Sequence, residues 1–203
     1  ESKFLAERHL SGLDLDWLIF RLGNVFGPSD TGLLPPSFLT GHSLFLDILT
    51  SAVRAGYAMS SPGYFFDVTP VDYICAGIRE LLHETPRQRF HLVQPHPWSM
   101  QDILKTFREF GWAIQGVGPE LYGSQLRRGC LFRPGHRPFR SMTTFVFDRW
   151  INVQKIDFNF SGRVTCARTT AKLKEHGVEY PENFAACLAT LMRPLLSCYS
   201  QVE

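Results

Sequence analysis

The residues Leu15-Asp-Trp-Leu-Ile-Phe-Arg-Leu22, followed by Gly23, decide the fold class. The run is short and almost continuously apolar, which is typical of a strand buried on both faces of a parallel sheet. Good helix formers precede it from Glu1 to Leu10, and Gly12 is a helix stop. A helix followed directly by such a strand indicates an α/β fold. Because no N-cap residue precedes Glu1, we expect this helix to begin upstream, in a longer protein.

The rest of the chain continues this alternation of helices and strands. Gly27–Gly32 is rich in residues that break helices and strands, and we expect it to form a loop. Ser99 is the expected N-cap of a helix over Met100–Phe110, in which Asp102 suits the helix dipole. The other predicted helices cover 37–55, 71–83, 119–128, 169–176 and 182–197, and the other predicted strands cover 65–70, 89–93 and 113–117.

The composition excludes several classes of protein. The chain has 203 residues, of which 44% are hydrophobic and 20% are charged, so it can bury a core and is not a disordered chain. Its net charge is only +2, and its most basic stretch, Arg127–Arg140, is interrupted by apolar residues and proline. We therefore expect no nucleic-acid partner. With no run near the roughly 18 apolar residues of a membrane helix and no signal segment, we expect a cytoplasmic protein without membrane contact.

Cysteine and histidine spacings give no sign of a metal site. The five cysteines are widely separated and form no CxxC pair, and the seven histidines follow no ligand spacing. We predict free thiols and no bound metal. Cys166 is not expected to be a nucleophile, because the sequence offers it no positioned histidine.

The segment 129–161 resists assignment to helix or strand but is rich in aromatic residues. We expect it to line or cap an apolar space, and we favour a structural lid over a cofactor contact. Its aromatic residues are Phe132, Phe139, Phe145, Phe147, Trp150, Phe158 and Phe160.

Three motifs occur in order along the chain: Glu1-Ser-Lys-Phe-Leu-Ala-Glu7, Arg21-Leu-Gly-Asn-Val-Phe-Gly27 and Phe66-Asp-Val-Thr-Pro-Val-Asp-Tyr73. Together they resemble the second half of an extended short-chain dehydrogenase/reductase. The resemblance is strongest to the thioester reductase domains that end nonribosomal peptide synthetases and polyketide synthases. The later stretches 160–168 and 177–181 resemble the closing helices of these reductases.

The resemblance implies an architecture. It predicts the carboxyl-terminal part of a Rossmann-type doubly wound parallel sheet, together with a mostly helical substrate-binding lobe. Residues 1–33 and 65–93 would belong to the nucleotide-binding domain, and residues 34–64 and 94–203 to the lobe that binds substrate and carrier.

The resemblance also implies site residues. Lys3 matches the lysine of the family's Tyr-x-x-x-Lys motif, where it lowers the pKa of the tyrosine and binds the nicotinamide ribose. The tyrosine itself, the preceding Ser/Thr and the glycine-rich phosphate loop would precede Glu1. Leu22, Gly23, Asn24 and Val25 match the turn beside the nicotinamide, although the family usually has proline at the position of Leu22. We predict that Asn24 and Phe26 border the reacting carbonyl.

Two further aspartates belong to the third motif, and we expect them to be structural rather than a general acid/base pair. Asp67 and Asp72 are too few and too uncertainly placed to form such a pair. A helix cap is the role that we predict for Asp72 or Thr69.

The implied activity is NADPH-dependent release of an acyl or peptidyl thioester from a carrier protein, as an aldehyde or, after a second reduction, an alcohol. The implied partner is a phosphopantetheine-bearing carrier protein, and the chain would be monomeric within a larger synthase. Three alternatives stay open. Two are enzymes on the same fold, a fatty acyl reductase and a nucleotide-sugar epimerase or dehydratase; the Phe-rich segment favours an acyl chain over a sugar. The third is a non-catalytic lobe that docks a carrier protein.

Overall fold

The structure, a computed structural model, describes residues 2–32, 49, 52–53, 56–60, 65–118, 120–122, 124 and 165–182. The helices are α1 (Ser2–Ser11), α2 (Val71–Leu81), α3 (Met100–Glu109) and α4 (Ala167–Glu175). The strands are β1 (Leu18–Leu22), β2 (Val25–Phe26), β3 (Tyr57–Met59), β4 (Phe65–Phe66), β5 (Thr69–Pro70), β6 (Gln88–Leu92), β7 (Trp98–Ser99) and β8 (Gln115–Val117). Within these ranges, no helix is long and apolar enough to cross a membrane.

Parallel strand pairs form the half of the fold that carries the three motifs. Strand β1 pairs with β6 in parallel, from Leu18 opposite Gln88 to Leu22 opposite Leu92. Strand β2 pairs with β5, also in parallel. The mixed α/β class with parallel strands is therefore confirmed. The expected burial of β1 on both faces is wrong, because Leu22 is 45% exposed.

One apolar core joins this parallel pair to two helices. Helices α2 and α4 pack together, and α4 also lies against β6. The His91 amide donates to the Thr169 hydroxyl at 3.1 Å, which links β6 to α4. Leu173 of α4 is completely buried, and such burial stabilises the fold by about 1.5–3 kcal/mol. The buried members of this core are Tyr73, Ile74, Leu81, Phe90, Leu92 and Leu173.

A second group of elements surrounds α3. Strand β3 pairs in parallel with β8, and β4 pairs antiparallel with β7. The Ser99 side chain accepts from the Asp102 amide, and the Asp102 carboxylate accepts from the Ser99 amide. This capping box confirms the predicted cap of α3. The helix buries one face, formed by Met100, Ile103, Leu104 and Phe107.

Most predicted elements within the described residues are confirmed, with bounds shifted by one to three residues. The expected strand over 65–70 is instead two short strands, β4 and β5, separated by residues 67 and 68. Helix α4, which the predicted division assigns to the substrate lobe, packs against α2 and β6 of the nucleotide-binding part. The division as a whole stays a prediction. The predicted helices 37–55, 119–128 and 182–197 and the Phe-rich segment 129–161 lie wholly or mostly outside the described residues.

Candidate functional site

The turn Leu22–Val25 begins where β1 ends, at the carboxyl edge of the parallel strands. The Gly23 amide donates to the Leu92 carbonyl at 3.0 Å, so the turn starts against the end of β6. The Asn24 carbonyl accepts from the Thr69 amide at 2.8 Å, which holds the turn against β5. Ligands of open α/β sheets bind beyond this edge. The turn therefore lies at this edge of the sheet, and its contact with a cofactor stays a prediction.

Gly23 is required by its contact with Asp67. A Cβ atom at Gly23 would lie 2.2 Å from Asp67 Oδ2 and 2.6 Å from Thr69 Oγ1, both far inside van der Waals distance. The structure gives a reason within the chain, since the carboxylate occupies the space that any side chain would need.

The Asp67 carboxylate joins three segments of backbone. Its Oδ1 accepts from the Thr69 hydroxyl at 2.8 Å and from the Gln94 amide at 3.1 Å. The Gln94 side chain in turn accepts from the Val68 amide at 2.9 Å. Burial raises the pKa of Asp67, while the hydrogen bonds from Thr69, Gln94 and Asn24 act in the opposite direction. We call Gly23, Asn24, Asp67, Thr69 and Gln94 the turn cluster.

Tyr180, which follows α4 in the chain, binds the segment that contains Asp67 and Val68. Its hydroxyl donates to the Val68 carbonyl at 2.6 Å. Its ring meets that of Tyr73 edge to face, with centroids 5.3 Å apart. Burial is the main cause of its strongly raised pKa, so the phenol stays protonated and remains a donor.

Asp72 does not cap α2, which corrects the prediction made from the sequence. The N-cap position of α2 is Pro70, and no side chain caps the helix there. Asp72 instead accepts from the Ser29 amide at 2.9 Å and from the Ser29 hydroxyl at 2.5 Å. It ties the loop Gly27–Gly32 to the start of α2. Thr69 also does not cap α2, which has no side-chain cap; its hydroxyl donates to Asp67.

Helix α1, which carries Lys3, is attached to the sheet through charged side chains. Arg21 of β1 donates to Glu7 from Nε at 3.1 Å and from Nη2 at 2.6 Å. Arg89 of β6 lies with its Nε 3.7 Å from the Glu7 carboxylate. His91 Nε2 lies 3.2 Å from Arg21 Nη1. We call Glu7, Arg21, Arg89 and His91 the ion-pair cluster.

Electrostatics within the ion-pair cluster favour the charged carboxylate and the neutral imidazole. The hydrogen bond from Arg21 is the main cause of the lowered pKa of Glu7. Burial, followed by the charge of Arg21, lowers the pKa of His91. Since a guanidinium can only donate, neutral His91 accepts from Arg21 through Nε2.

The contacts of α1 fix its direction along the sheet. Ser11 meets Arg89, which is the partner of Ile19 in the strand register. Glu7, one turn earlier, meets Arg21, two residues further along β1. Helix α1 therefore runs antiparallel to β1, with its amino-terminal end toward the turn Leu22–Val25.

The predicted site residues differ in exposure. Lys3, Leu22, Asn24 and Val25 are exposed and accessible to a ligand. Phe26 is only 5% exposed. Its predicted contact with substrate stays a prediction that this burial disfavours.

Sequence reasoning missed the roles of Arg21, Gln94 and Tyr180 and the contact between Asp67 and Gly23. One signal was present, because Arg21 is a charged residue inside the apolar run of β1 and therefore needed a partner. The pairing of Gln94 and Tyr180 with Val68 spans 26 and 112 residues and had no local signature. In the described part of the chain, no three His, Cys, Asp or Glu side chains cluster as metal ligands.

Comparison with solved structures supports the family resemblance at the level of fold. The terminal R domain from the myxalamid PKS-NRPS biosynthetic pathway matches with a TM-score of 0.78 and 24% identity, over 97% of this chain and 49% of that one. A thiolation-reductase di-domain from an archaeal nonribosomal peptide synthetase matches with a TM-score of 0.72 and 24% identity, over 100% of this chain and 41% of that one.

A third solved structure, the R domain of a nonribosomal peptide synthetase from Mycobacterium tuberculosis, matches with a TM-score of 0.62 and 15% identity, over 94% of this chain and 49% of that one. The chain thus spans about half the length of the structures that it matches. No protein-family model and no curated protein matches the sequence. The chain has the fold of one part of these reductase domains, which confirms the predicted resemblance and fold class.

Proposed function

We propose that this chain forms the carboxyl-terminal half of a terminal reductase domain, which uses NADPH to release a carrier-bound acyl or peptidyl thioester as an aldehyde. The observation that carries the proposal is the match of almost the whole chain to R domains of known structure. The direction of α1 adds support, because it brings Lys3 toward the turn at the carboxyl end of β1.

Bound NADPH would supply the hydride, and the residues of this chain fit one side of its nicotinamide end. The exposed turn Leu22–Val25 offers backbone and side-chain atoms at the sheet edge where ligands bind. Lys3 would donate a hydrogen bond to a ribose hydroxyl through Nζ. Its charge would also lower the pKa of the family's tyrosine, which lies outside these residues.

Asn24 is the proposed substrate contact. Its side chain is exposed, while its backbone is held by hydrogen bonds to Thr69 and Asp67. An amide on a fixed backbone can donate to an oxygen that gains negative charge as hydride arrives, without reorganising during the reaction.

The proposed partner is a carrier protein that presents the thioester on a phosphopantetheine arm. The archaeal structure described above joins a thiolation domain to its reductase domain in one chain. We propose the same kind of partnership for this chain, with a monomeric reductase inside a larger synthase. Location in the cytoplasm remains a prediction.

The test is reduction of a carrier-bound thioester by the polypeptide that contains residues 1–203. We expect aldehyde formation with NADPH, and a fall in turnover of about 10-fold or more in Asn24→Ala, as for loss of a positioned donor. The matched control is Gln101→Ala, at an exposed position of α3, which should leave turnover unchanged.

Two outcomes would contradict the proposed reaction, and a third would contradict the role of Asn24. Carrier capture without cofactor binding would favour a docking lobe. Turnover of a nucleotide sugar, or of a free fatty acyl thioester only, would favour the other enzymes of this fold. Unchanged turnover in Asn24→Ala would remove Asn24 from the proposed site.

A further inference from the structure

We infer that the Glu7–Arg21 ion pair fixes the position of α1 along β1 and so places Lys3 at the level of the turn Leu22–Val25. The inference rests on the proposed function, because it concerns how the lysine of that site is held. Glu7 and Arg21 act through Lys3 and are positioning residues, not catalytic ones.

The spacing of the contacts along α1 matches the spacing of the paired residues of β1 and β6, and we call each such pair a row of the sheet. From Ser11 to Glu7, four residues of helix advance by about 6 Å. From the row of Ile19 and Arg89 to the row of Arg21 and His91, two residues of strand advance by about 6.6 Å. The next four residues of helix, from Glu7 to Lys3, bring the lysine to the row that follows Arg21 by two residues. That row is Gly23, the centre of the turn cluster.

Lys3 and Glu7 also lie on one face of α1. Residues four apart on a helix point in the same direction, so a helix whose Glu7 faces β1 also directs Lys3 toward the sheet side. A rotation of α1 about its axis would move both side chains together.

Within the described residues, α1 is not held in place by apolar packing. None of the residues of α1 is buried, and Phe4 and Leu5 are 64% and 52% exposed. The helix is held instead by a guanidinium that donates two hydrogen bonds to one carboxylate, a geometry that restricts both sliding and rotation. Arg89 approaches the same carboxylate, and its guanidinium also lies 5.0 Å from the centre of the Trp17 ring.

A comparable ion pair elsewhere provides the control. Arg87 Nη2 lies 2.5 Å from Asp14 Oδ1, ahead of β6 and away from the turn. Both pairs join an arginine to a carboxylate and both arginines are partly exposed, but Asp14 lies in the loop that follows α1 and its side chain is 99% exposed, against 21% for Glu7. Of these two pairs, only Glu7–Arg21 joins the sheet to α1, the helix that carries Lys3.

The experiment compares Glu7→Gln with Asp14→Asn in the polypeptide that contains residues 1–203. We expect kcat/KM for the carrier-bound thioester to fall about 10- to 100-fold in Glu7→Gln, as for a catalytic group displaced by about 1 Å. The Kd for NADPH should rise in the same variant. Asp14→Asn should change kcat/KM and Kd less than about twofold. Its shift in Tm should be similar to that of Glu7→Gln, since exposed pairs contribute little stability.

Two further variants separate positioning from general damage. Arg21→Lys keeps the charge but not the double hydrogen bond. Its kcat/KM should lie between the values of the wild type and of Glu7→Gln. The exchanged pair, Glu7→Arg with Arg21→Glu, should recover part of the lost activity. Equal effects of Glu7→Gln and Asp14→Asn, or no recovery in the exchanged pair, would overturn the inference.

A cofactor-independent measurement distinguishes failure of this inference from failure of the proposed function. In a background without other cysteines, the double variant Lys3→Cys with Asn24→Cys should be joined rapidly by a short bifunctional maleimide. Adding Glu7→Gln should slow this reaction at least fivefold, and adding Asp14→Asn should not. Absence of NADPH binding with this pattern intact would contradict the proposed function alone, while equal rates in both variants would contradict the positioning role.

Discussion

The two sides of the candidate site are held by different forces. The turn cluster is centred on buried groups: Thr69 is completely buried, Gln94 is 4% exposed, and Asp67 fills the space beside Gly23, while the Asn24 side chain is exposed. The ion-pair cluster has an Arg21 side chain that is 44% exposed, and it holds a helix without a buried residue. One side is fixed by packing and buried hydrogen bonds, and the other by charges near water.

This difference indicates where the site can be changed without unfolding the protein. Buried close contacts resist salt and tolerate no added atom, because neighbouring groups cannot move away. Exposed ion pairs contribute little stability and weaken as ionic strength rises. Substitutions in the turn cluster should therefore lower the free energy of unfolding. Substitutions in the ion-pair cluster should mainly change the position of Lys3.

The largest expected effect is on the turn side. Gly23→Ala would place a Cβ atom 2.2 Å from Asp67 Oδ2, and we expect it to lower the free energy of unfolding by about 3 kcal/mol. Denaturant unfolding measures this loss. Gly118→Ala is the control, since no atom of the described residues lies within 4 Å of its added Cβ, and it should change stability by less than about 0.5 kcal/mol. Equal losses in both variants would contradict the packing described for the turn cluster.

The next effect isolates one buried hydrogen bond of the same region. Tyr180→Phe keeps the ring contact with Tyr73 but leaves the buried Val68 carbonyl without its donor. We expect a loss of about 1–2 kcal/mol, measured by thermal or denaturant unfolding. Tyr180→Ala should cost more, because it also removes the ring. A Phe variant as stable as the wild type would mean that the hydroxyl does not anchor Val68.

A smaller effect should separate the two regions by their response to salt. At low salt we expect Glu7→Gln to lower the free energy of unfolding by about 0.5–1 kcal/mol. At 1 M salt, where the Debye length is about 3 Å, the gap between this variant and the wild type should approach zero. The gap for Gly23→Ala should persist. A salt-independent gap for Glu7→Gln would show that α1 is held by something other than charge.

The smallest effect is an opposite response of the two carboxylates to pH. The pKa of Glu7 is lowered from 4.5, so its stabilisation is present above that value and is lost as pH falls below it. The pKa of Asp67 is raised from 3.8, so its contribution is most favourable at low pH and declines as pH rises through 3.8 toward the raised value.

The pH response is measured as the stability gap between wild type and variant. Falling pH should close the gap for Glu7→Gln. For Asp67→Asn, rising pH should shift the gap in favour of the asparagine variant. Gaps that change in the same direction would contradict the contrast between the two clusters.

Local features of the fold could be predicted from the sequence, because their causes are local. The capping box of Ser99 and Asp102 joins residues three apart, and the apolar run before Gly23 is sufficient to indicate β1. The three motifs indicated the family resemblance, which the solved structures confirm. They also indicated the turn at the end of β1.

Features that depend on distant partners could not be predicted. Asp72 was expected to cap its own helix, but Ser29, 43 residues away, takes both of its oxygens. The need for glycine at position 23 arises from Asp67, which reaches the turn only once β2 and β5 have paired. The attachment of α1 depends on Arg21 and His91, which become neighbours only through the register of β1 and β6.

The most direct test of the central claim is a titration of NADPH against the polypeptide that contains residues 1–203, compared with its Lys3→Met variant. We predict binding by the wild type and a Kd about 10-fold or more higher in the variant, as for loss of a hydrogen bond from a charged donor. Lys105→Met, at an exposed position of α3, should bind like the wild type. Equal Kd values for the wild type and Lys3→Met, or no binding by either, would contradict a nicotinamide site at Lys3 and the turn Leu22–Val25.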